Sequence, residues 1–189
     1  GVRADSHPAK LFFDHAFLVN DGQMFPQYFL GWPAFLAVGE ALGGGGYVNA
    51  VLSALTVVPL YRLTRALAGR TWGRVAVLLF LTSPQLQLLA ATKLSHTSAL
   101  FALSWTAWWA WQAVKDPEDV RPAVGLGLAF SVAFFIRPLT ALGIGGPFLA
   151  WWVASWWRQG RRMGPALSFL APSMVLAAAF LAVNAAQTG

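Results

Sequence analysis

Six apolar runs follow one another from Tyr47 almost to the end of the chain, and nothing else in the sequence limits the fold so sharply. They are Tyr47 to Leu67, Trp72 to about Ala91, Ser95 to Val114, Pro122 to Ile136, Pro138 to Trp157 and Pro165 to about Asn184. Most match the roughly 20 residues that a helix needs to cross a hydrocarbon core of about 30 Å. None shows the period-two alternation of a membrane barrel, and each is long enough to satisfy its own backbone hydrogen bonds as a helix. The predicted fold class is therefore all-α: a polytopic transmembrane helical bundle of about six membrane-crossing helices. Composition agrees. Of 189 residues 57% are hydrophobic and 11% charged, against about 25% charged in an average soluble domain. A soluble globule is excluded, and little length is left for a large water-soluble domain, so chemistry must sit at a membrane face. The absence of cysteine excludes disulfides, thiolate metal sites and cysteine nucleophiles.

Residues 1–31 mix polar and aromatic residues without a sustained apolar run and read as an outer-face loop; residues 32–189 read as the transmembrane helical domain. Trp32 to Leu42 is apolar but eleven residues long, about 16 Å as a helix, too short to cross. It reads as a juxtamembrane or re-entrant helix, released by the glycines at 43 to 46. The chain begins without an initiator methionine or an apolar leader and ends just after an apolar run, so it reads as an internal piece of a longer protein, inactive by itself.

Basic residues set the expected orientation. Arg62, Arg65, Arg70, Arg74, Lys115, Arg121, Arg158, Arg161 and Arg162 fall in turns on one side, which the positive-inside rule makes cytoplasmic. The net charge of +6 thus reflects membrane topology, not nucleic acid binding. The opening loop, His96, Arg137 and the C-terminal end then share the outer face of what reads as a bacterial cytoplasmic (inner) membrane. Two crossings are irregular. Pro122 to Ile136 spans only fifteen residues, and Thr82-Ser83-Pro84 interrupts the second run, where proline removes a backbone hydrogen bond and forces a kink. Such irregularities are tolerated beside a cavity.

All three histidines, His7, His15 and His96, fall on the predicted outer face together with Lys93, Arg137, Asp5, Asp14 and Asp21. Lys93-Leu94-Ser95-His96-Thr97 is the most polar stretch between two apolar helices. A helix start with free amides and a nearby lysine suits a phosphate; equally, Ser95 reads as an N-cap and Lys93 as a side chain snorkelling to headgroups. Arg137, wedged between a short helix and Pro138, offers a fork of donors to a phosphate or carboxylate, or an anchor to lipid headgroups or a structural aspartate. Asp14 and His15 pair a carboxylate with an imidazole, as base and orienting group, as two metal ligands completed from elsewhere, or as a solvated loop pair. The tryptophans at 105, 108, 109 and 111, and at 151, 152, 156 and 157, read as an interfacial belt at the inner end. Trp32, on the other face, stays eligible for substrate contact.

Tyr28-Phe29-Leu30-Gly31-Trp32-Pro33, Asn49 to Leu67 closing on Arg-Leu-Thr-Arg, Thr82-Ser83-Pro84, Leu94-Ser95-His96-Thr97 and Arg137-Pro138-Leu139-Thr140 occur in one order over essentially the whole chain. In this the sequence resembles the GT-C membrane glycosyltransferases, in particular bacterial members akin to the protein O-mannosyltransferases, the lipid A aminoarabinose transferases and the RgtA/B/C/D-like group. The resemblance implies transfer of a sugar from a polyprenyl-phosphate carrier to a glycan, lipid or protein acceptor at the outer membrane face. It also implies an acidic base in the loop after a first transmembrane helix; that helix is expected upstream of Gly1, and Asp14 stands in for the base. Phe29 and Leu30 occupy positions where a proline pair is common in that group. The expected catalytic residues are Asp14, His15 and His96, and the expected substrate-binding residues Tyr28, Trp32, Lys93 and Arg137. No redox or organic cofactor is required, and the sequence does not indicate a divalent metal. The competing readings are a membrane transporter or lipid-linked-sugar flippase, for which broken helices are also expected, and a non-catalytic scaffold.

Overall fold

The structure, a computed structural model, describes residues 18–21, 23–26, 30–160 and 163–188. A small antiparallel hairpin comes first, β1 (Leu18–Asp21) paired with β2 (Gln23–Pro26), Leu18 opposite Pro26 and Asp21 opposite Gln23. The sequence reading had a plain loop here. Leu-Val and Met-Phe flank the turn formers Asn20, Asp21 and Gly22, a pattern that favours a short hairpin. Nine α-helices follow among the described residues: α1 (Gly31–Ala41), α2 (Val48–Ala68), α3 (Arg70–Thr82), α4 (Pro84–Ala90), α5 (His96–Lys115), α6 (Arg121–Ile136), α7 (Pro138–Thr140), α8 (Gly146–Arg158) and α9 (Met163–Thr188). All six apolar runs are helical, with ends within a few residues of those expected.

Contacts along the helices give their directions. Asn49 of α2 touches the chain just before α5, and Arg62, farther along α2, lies over Trp108 of α5, so α2 and α5 run parallel. Tyr61 faces Gly73, which sets α3 antiparallel to α2. Trp109 faces Gly125, and Leu103 clusters with Ala133, so α6 runs back against α5. Gly145 meets Leu103, and Trp111 meets Trp151, which aligns α8 with α5. Gly127 packs on Phe169 and Phe135 stacks on Phe180, which aligns α9 with α6. The chain therefore passes six times between two ends of one bundle, alternating in direction.

Two of these passes, Gly45–Ala68 and Met163–Val183, are long and apolar enough by themselves to cross a membrane, and a third qualifies if α3 and α4 count as one span. Those two helices meet at Ser83 with a bend of 62°, the break expected from Thr82-Ser83-Pro84. The α6 helix has 16 residues. The fifth pass is also irregular, which had not been foreseen: between α7 and α8, residues Ala141–Gly145 form a π-helical turn. Gly143, Gly145, Gly146 and Pro147 are the signal for it, since glycine weakens and proline interrupts the regular ladder.

The bundle is packed from small residues. On α5 the buried positions include Ala99, Ala102, Thr106, Ala110 and Ala113, and on α6 Ala123, Leu126, Gly127, Ala129 and Ala133. The large apolar side chains point outward instead: Leu79 is 65% and Met174 68% exposed, whereas Leu126 is 0% exposed. That inversion suits a lipid solvent, where burial of leucine gives no drive to associate and close backbone approach does. At Gly127 a Cβ would collide with the Phe169 carbonyl, so glycine is what lets α6 and α9 meet. The buried hydroxyls of Thr56 and Thr106 donate to the carbonyls of Leu52 and Ala102 in their own helices, at 2.8 and 2.9 Å. One part of the tryptophan belt is corrected. Trp152 is buried in the core against Phe169, 5.0 Å between rings, and Trp109 lies against Gly125; alanine and glycine opposite leave room that only a large ring fills.

Candidate active site at one end of the bundle

The α1 helix lies across one end of the bundle. At its start, Trp32 donates from Nε1 to the Lys93 carbonyl at 2.8 Å, and at its end the Glu40 carboxylate holds Lys93 Nζ at 3.0 Å. Eight residues separate those two points, about 12 Å of helix, and both rest on the same turn between α4 and α5. Gly31 seats the helix on α6: a Cβ there would collide with the Phe135 carbonyl. A helix placed this way does not follow the bundle axis, in keeping with the juxtamembrane reading.

Beneath α1 a cavity of about 550 Å³ opens. Trp32, Lys93, His96 and Arg137 line it, together with Ser95 and Thr140. Four residues expected to act together, from three separate parts of the sequence, thus share one space. Asp14, His15 and Tyr28 lie outside the described residues.

Each wall has a local cause. Arg137 ends α6 in an extended conformation, φ −149° and ψ 88°, because the following Pro138 disfavours helical backbone at the residue before it. Its amide still donates to the Ala133 carbonyl at 2.9 Å, and its carbonyl accepts from Ala141 at 2.8 Å, so the backbone is held from both sides. The side chain is half-buried, and no carboxylate among the described residues pairs with it. The Lys93 turn is held from beneath by Asn49, 2% exposed, whose Nδ2 donates to the carbonyls of Thr92 and Leu94, both at 2.7 Å. Ser95 takes the N-cap position of α5 without a side-chain cap bond; instead Ser98 donates from Oγ to the Ser95 carbonyl at 2.9 Å. The start of α5 therefore has no side-chain cap.

Electrostatically the site is positive but partly countered. His96, exposed at the first position of α5, lines the same cavity as the Arg137 guanidinium. Lys93 is not the free cation expected: Glu40 neutralises it, with both side chains about 60% exposed. Two contributors escaped the sequence reading. Glu40 is the only acidic residue between Asp21 and Asp116, which was its available signal. Asn49 stands alone as an amide at the head of an apolar run. Thr97, the last residue of the polar stretch that begins at Lys93, is 4% exposed with Oγ1 unpartnered among the described residues. No group of three histidine, aspartate or glutamate side chains able to hold a metal occurs among the described residues.

The opposite end differs in kind. Arg62 lies over Trp108, three turns along α5 from His96, about 18 Å at helical rise. Lys115 lies over Trp111 at the same end. The arginine-rich turns and the cavity therefore occupy opposite ends of the bundle, as the distribution of basic residues predicted.

Comparison with known proteins adds one finding. The family model described as dolichyl-phosphate-mannose-protein mannosyltransferase matches residues 28–183, from just before α1 to near the end of α9. No curated protein and no solved structure matches the chain.

Proposed function

The chain belongs to the dolichyl-phosphate-mannose-protein mannosyltransferase family, a family of GT-C membrane glycosyltransferases, and from that premise we propose that the cavity under α1 receives the phosphate of a polyprenyl-phosphate-linked sugar. The observation that carries this reading is Arg137: half-buried, without a carboxylate partner among the described residues, and in the same cavity as Ser95 and His96 at the uncapped start of α5. An unpaired cation at the edge of a membrane is costly, and a phosphate headgroup is the partner that the surroundings can deliver.

In the proposed reaction an acceptor hydroxyl oxygen forms a bond to the anomeric carbon of the sugar. The bond from that carbon to the phosphate oxygen breaks, its electron pair staying on the phosphate, and the hydroxyl proton passes to a base. Arg137 offers its fork of donors to the phosphate oxygens, and charge placed there beforehand stabilises the leaving group without a proton. His96 and the first amides of α5 add donors. Lys93 joins once its pair with Glu40 opens, and Trp32 supplies a face for the sugar. Asp14 and His15 fill the roles of base and orienting group, and Tyr28 that of a further substrate contact. The acceptor is a glycan, lipid or protein at the extracytoplasmic face of a bacterial cytoplasmic membrane. Family membership favours transfer over transport.

The test is transfer of labelled sugar from a polyprenyl-phosphate hexose by the protein reconstituted in liposomes. Arg137→Ala should lower kcat/KM by roughly two to three orders of magnitude, the scale of losing one preorganised charge donor. Wild-type transfer by that variant, at an unchanged melting temperature, overturns the assignment.

A further inference from the structure

We propose that an anionic phospholipid binds in the groove between α2 and α3 at the arginine-rich end, as a resident lipid distinct from the sugar donor. The groove encloses about 520 Å³. Its apolar walls come from Val57 and Val58 on α2 and Val77, Leu78 and Leu81 on α3, with Arg62 and Arg74 also lining it. Because the helices are antiparallel, both arginines fall at the same end of the groove, and Leu81 lies about 10 Å away at helical rise.

Three observations select the occupant. The walls are open to the surroundings, Leu78 at 64% and Leu81 at 51% exposed, so the occupant has a tail and not merely a charge. Arg62, Arg65, Arg70 and Arg74 fall within one turn, with no acidic residue anywhere in α2 or α3, so its head is anionic. Arg62 also has a fixed neighbour: its guanidinium lies over the Trp108 ring at 6.0 Å, a cation–π contact that uses none of its N–H groups, so these can serve phosphate oxygens. Gly73 against Tyr61 keeps the two helices together at this level, since a Cβ there would come within 3.1 Å of the ring. Basic pockets between membrane helices commonly take anionic lipid heads. A soluble nucleotide has no tail for these walls, and a zwitterionic lipid has no net charge for two arginines.

Native mass spectrometry of the protein in nanodiscs of phosphatidylglycerol or phosphatidylcholine tests this. Phosphatidylglycerol should be retained and phosphatidylcholine lost. The double substitution Arg62→Gln with Arg74→Gln should weaken phosphatidylglycerol retention by at least about tenfold, as expected for removing two surface charges near a headgroup, while Arg62→Lys with Arg74→Lys retains most of it. Leu78→Trp, which fills the groove without touching charge, should also weaken retention. Equal retention of the two lipids, or retention unchanged in both the glutamine variant and Leu78→Trp, overturns the proposal. So does a photo-crosslinker at position 81 that captures peptide rather than lipid.

Discussion

The two ends of the bundle use arginine in opposite ways. At the cavity end a single guanidinium, Arg137, is half-buried and carried on a backbone bonded on both sides, with a proline enforcing its conformation. At the other end Arg62, Arg65, Arg70 and Arg74 are all exposed, on helix ends that a single glycine joins. Position is over-determined in the first case; in the second, Arg62 lies over Trp108 while the other three arginines stand on exposed helix ends. Charge held in one place does chemistry through geometry, whereas charge spread over an exposed turn acts through its sum. Losing one residue should therefore matter at the first end and scarcely at the second.

Substitutions at Arg137 and Arg70 give that comparison its largest contrast. Arg137→Lys keeps the charge but replaces a planar fork by a point donor, so sugar transfer should recover only part of what Arg137→Ala loses. Arg70→Gln should leave kcat/KM unchanged and shift stability by no more than about 0.5 kcal/mol, as surface substitutions usually do. Steady-state transfer and thermal melts of the same preparations check both. Equal losses at Arg137 and Arg70 would dissolve the distinction between the ends.

A smaller effect is expected where the cavity end is braced. Asn49→Leu removes two short hydrogen bonds and leaves the carbonyls of Thr92 and Leu94 without their donor. The bonds are part-buried, and losing each costs about 0.5–1.5 kcal/mol, so the melting temperature should fall. Transfer should fall with it, because the turn carrying Lys93 and His96 loosens. A lower melting temperature with unaltered kcat/KM would show that this turn needs no bracing to work.

Much of this architecture was legible in the sequence, and the part that was not has a physical reason. Runs of about twenty apolar residues announce helices because the bilayer sets their length. Pro84 announced the bend and Pro138 the stop at Arg137, because proline acts locally, whatever surrounds it. The separation of the two ends was readable from arginine positions alone, and it put Trp32, Lys93, His96 and Arg137 together at one end before any contact was known. What escaped was pairwise. That Glu40 neutralises Lys93, that Asn49 reaches two carbonyls over forty residues away, and that Trp152 turns inward depend on which helices become neighbours. Helix neighbours here are chosen by small residues such as Gly127, which leave almost no periodic trace in an already apolar sequence. The hairpin at Leu18–Asp21 was missed for a different reason: four-residue strands are too short for alternation to stand out.

The smallest effect is expected at Glu40, and its sign is informative. The pair with Lys93 is exposed, so it contributes no more than about 1 kcal/mol, and Glu40→Gln should barely move the melting temperature. Its effect on the donor is different. In the resting site the carboxylate competes with the donor phosphate for the Lys93 ammonium, and removing it frees that cation. KM for the lipid-linked sugar should then fall by roughly two- to fivefold with kcat little changed, since an interaction of this size corresponds to about that factor. The fall should shrink as salt rises, because exposed charges are screened, while the Arg137 contribution, half-buried, should resist salt better. A rise in KM would reverse the assignment: Glu40 would then belong among the groups that hold the sugar, and α1 would act as a wall of the site instead of a latch upon it.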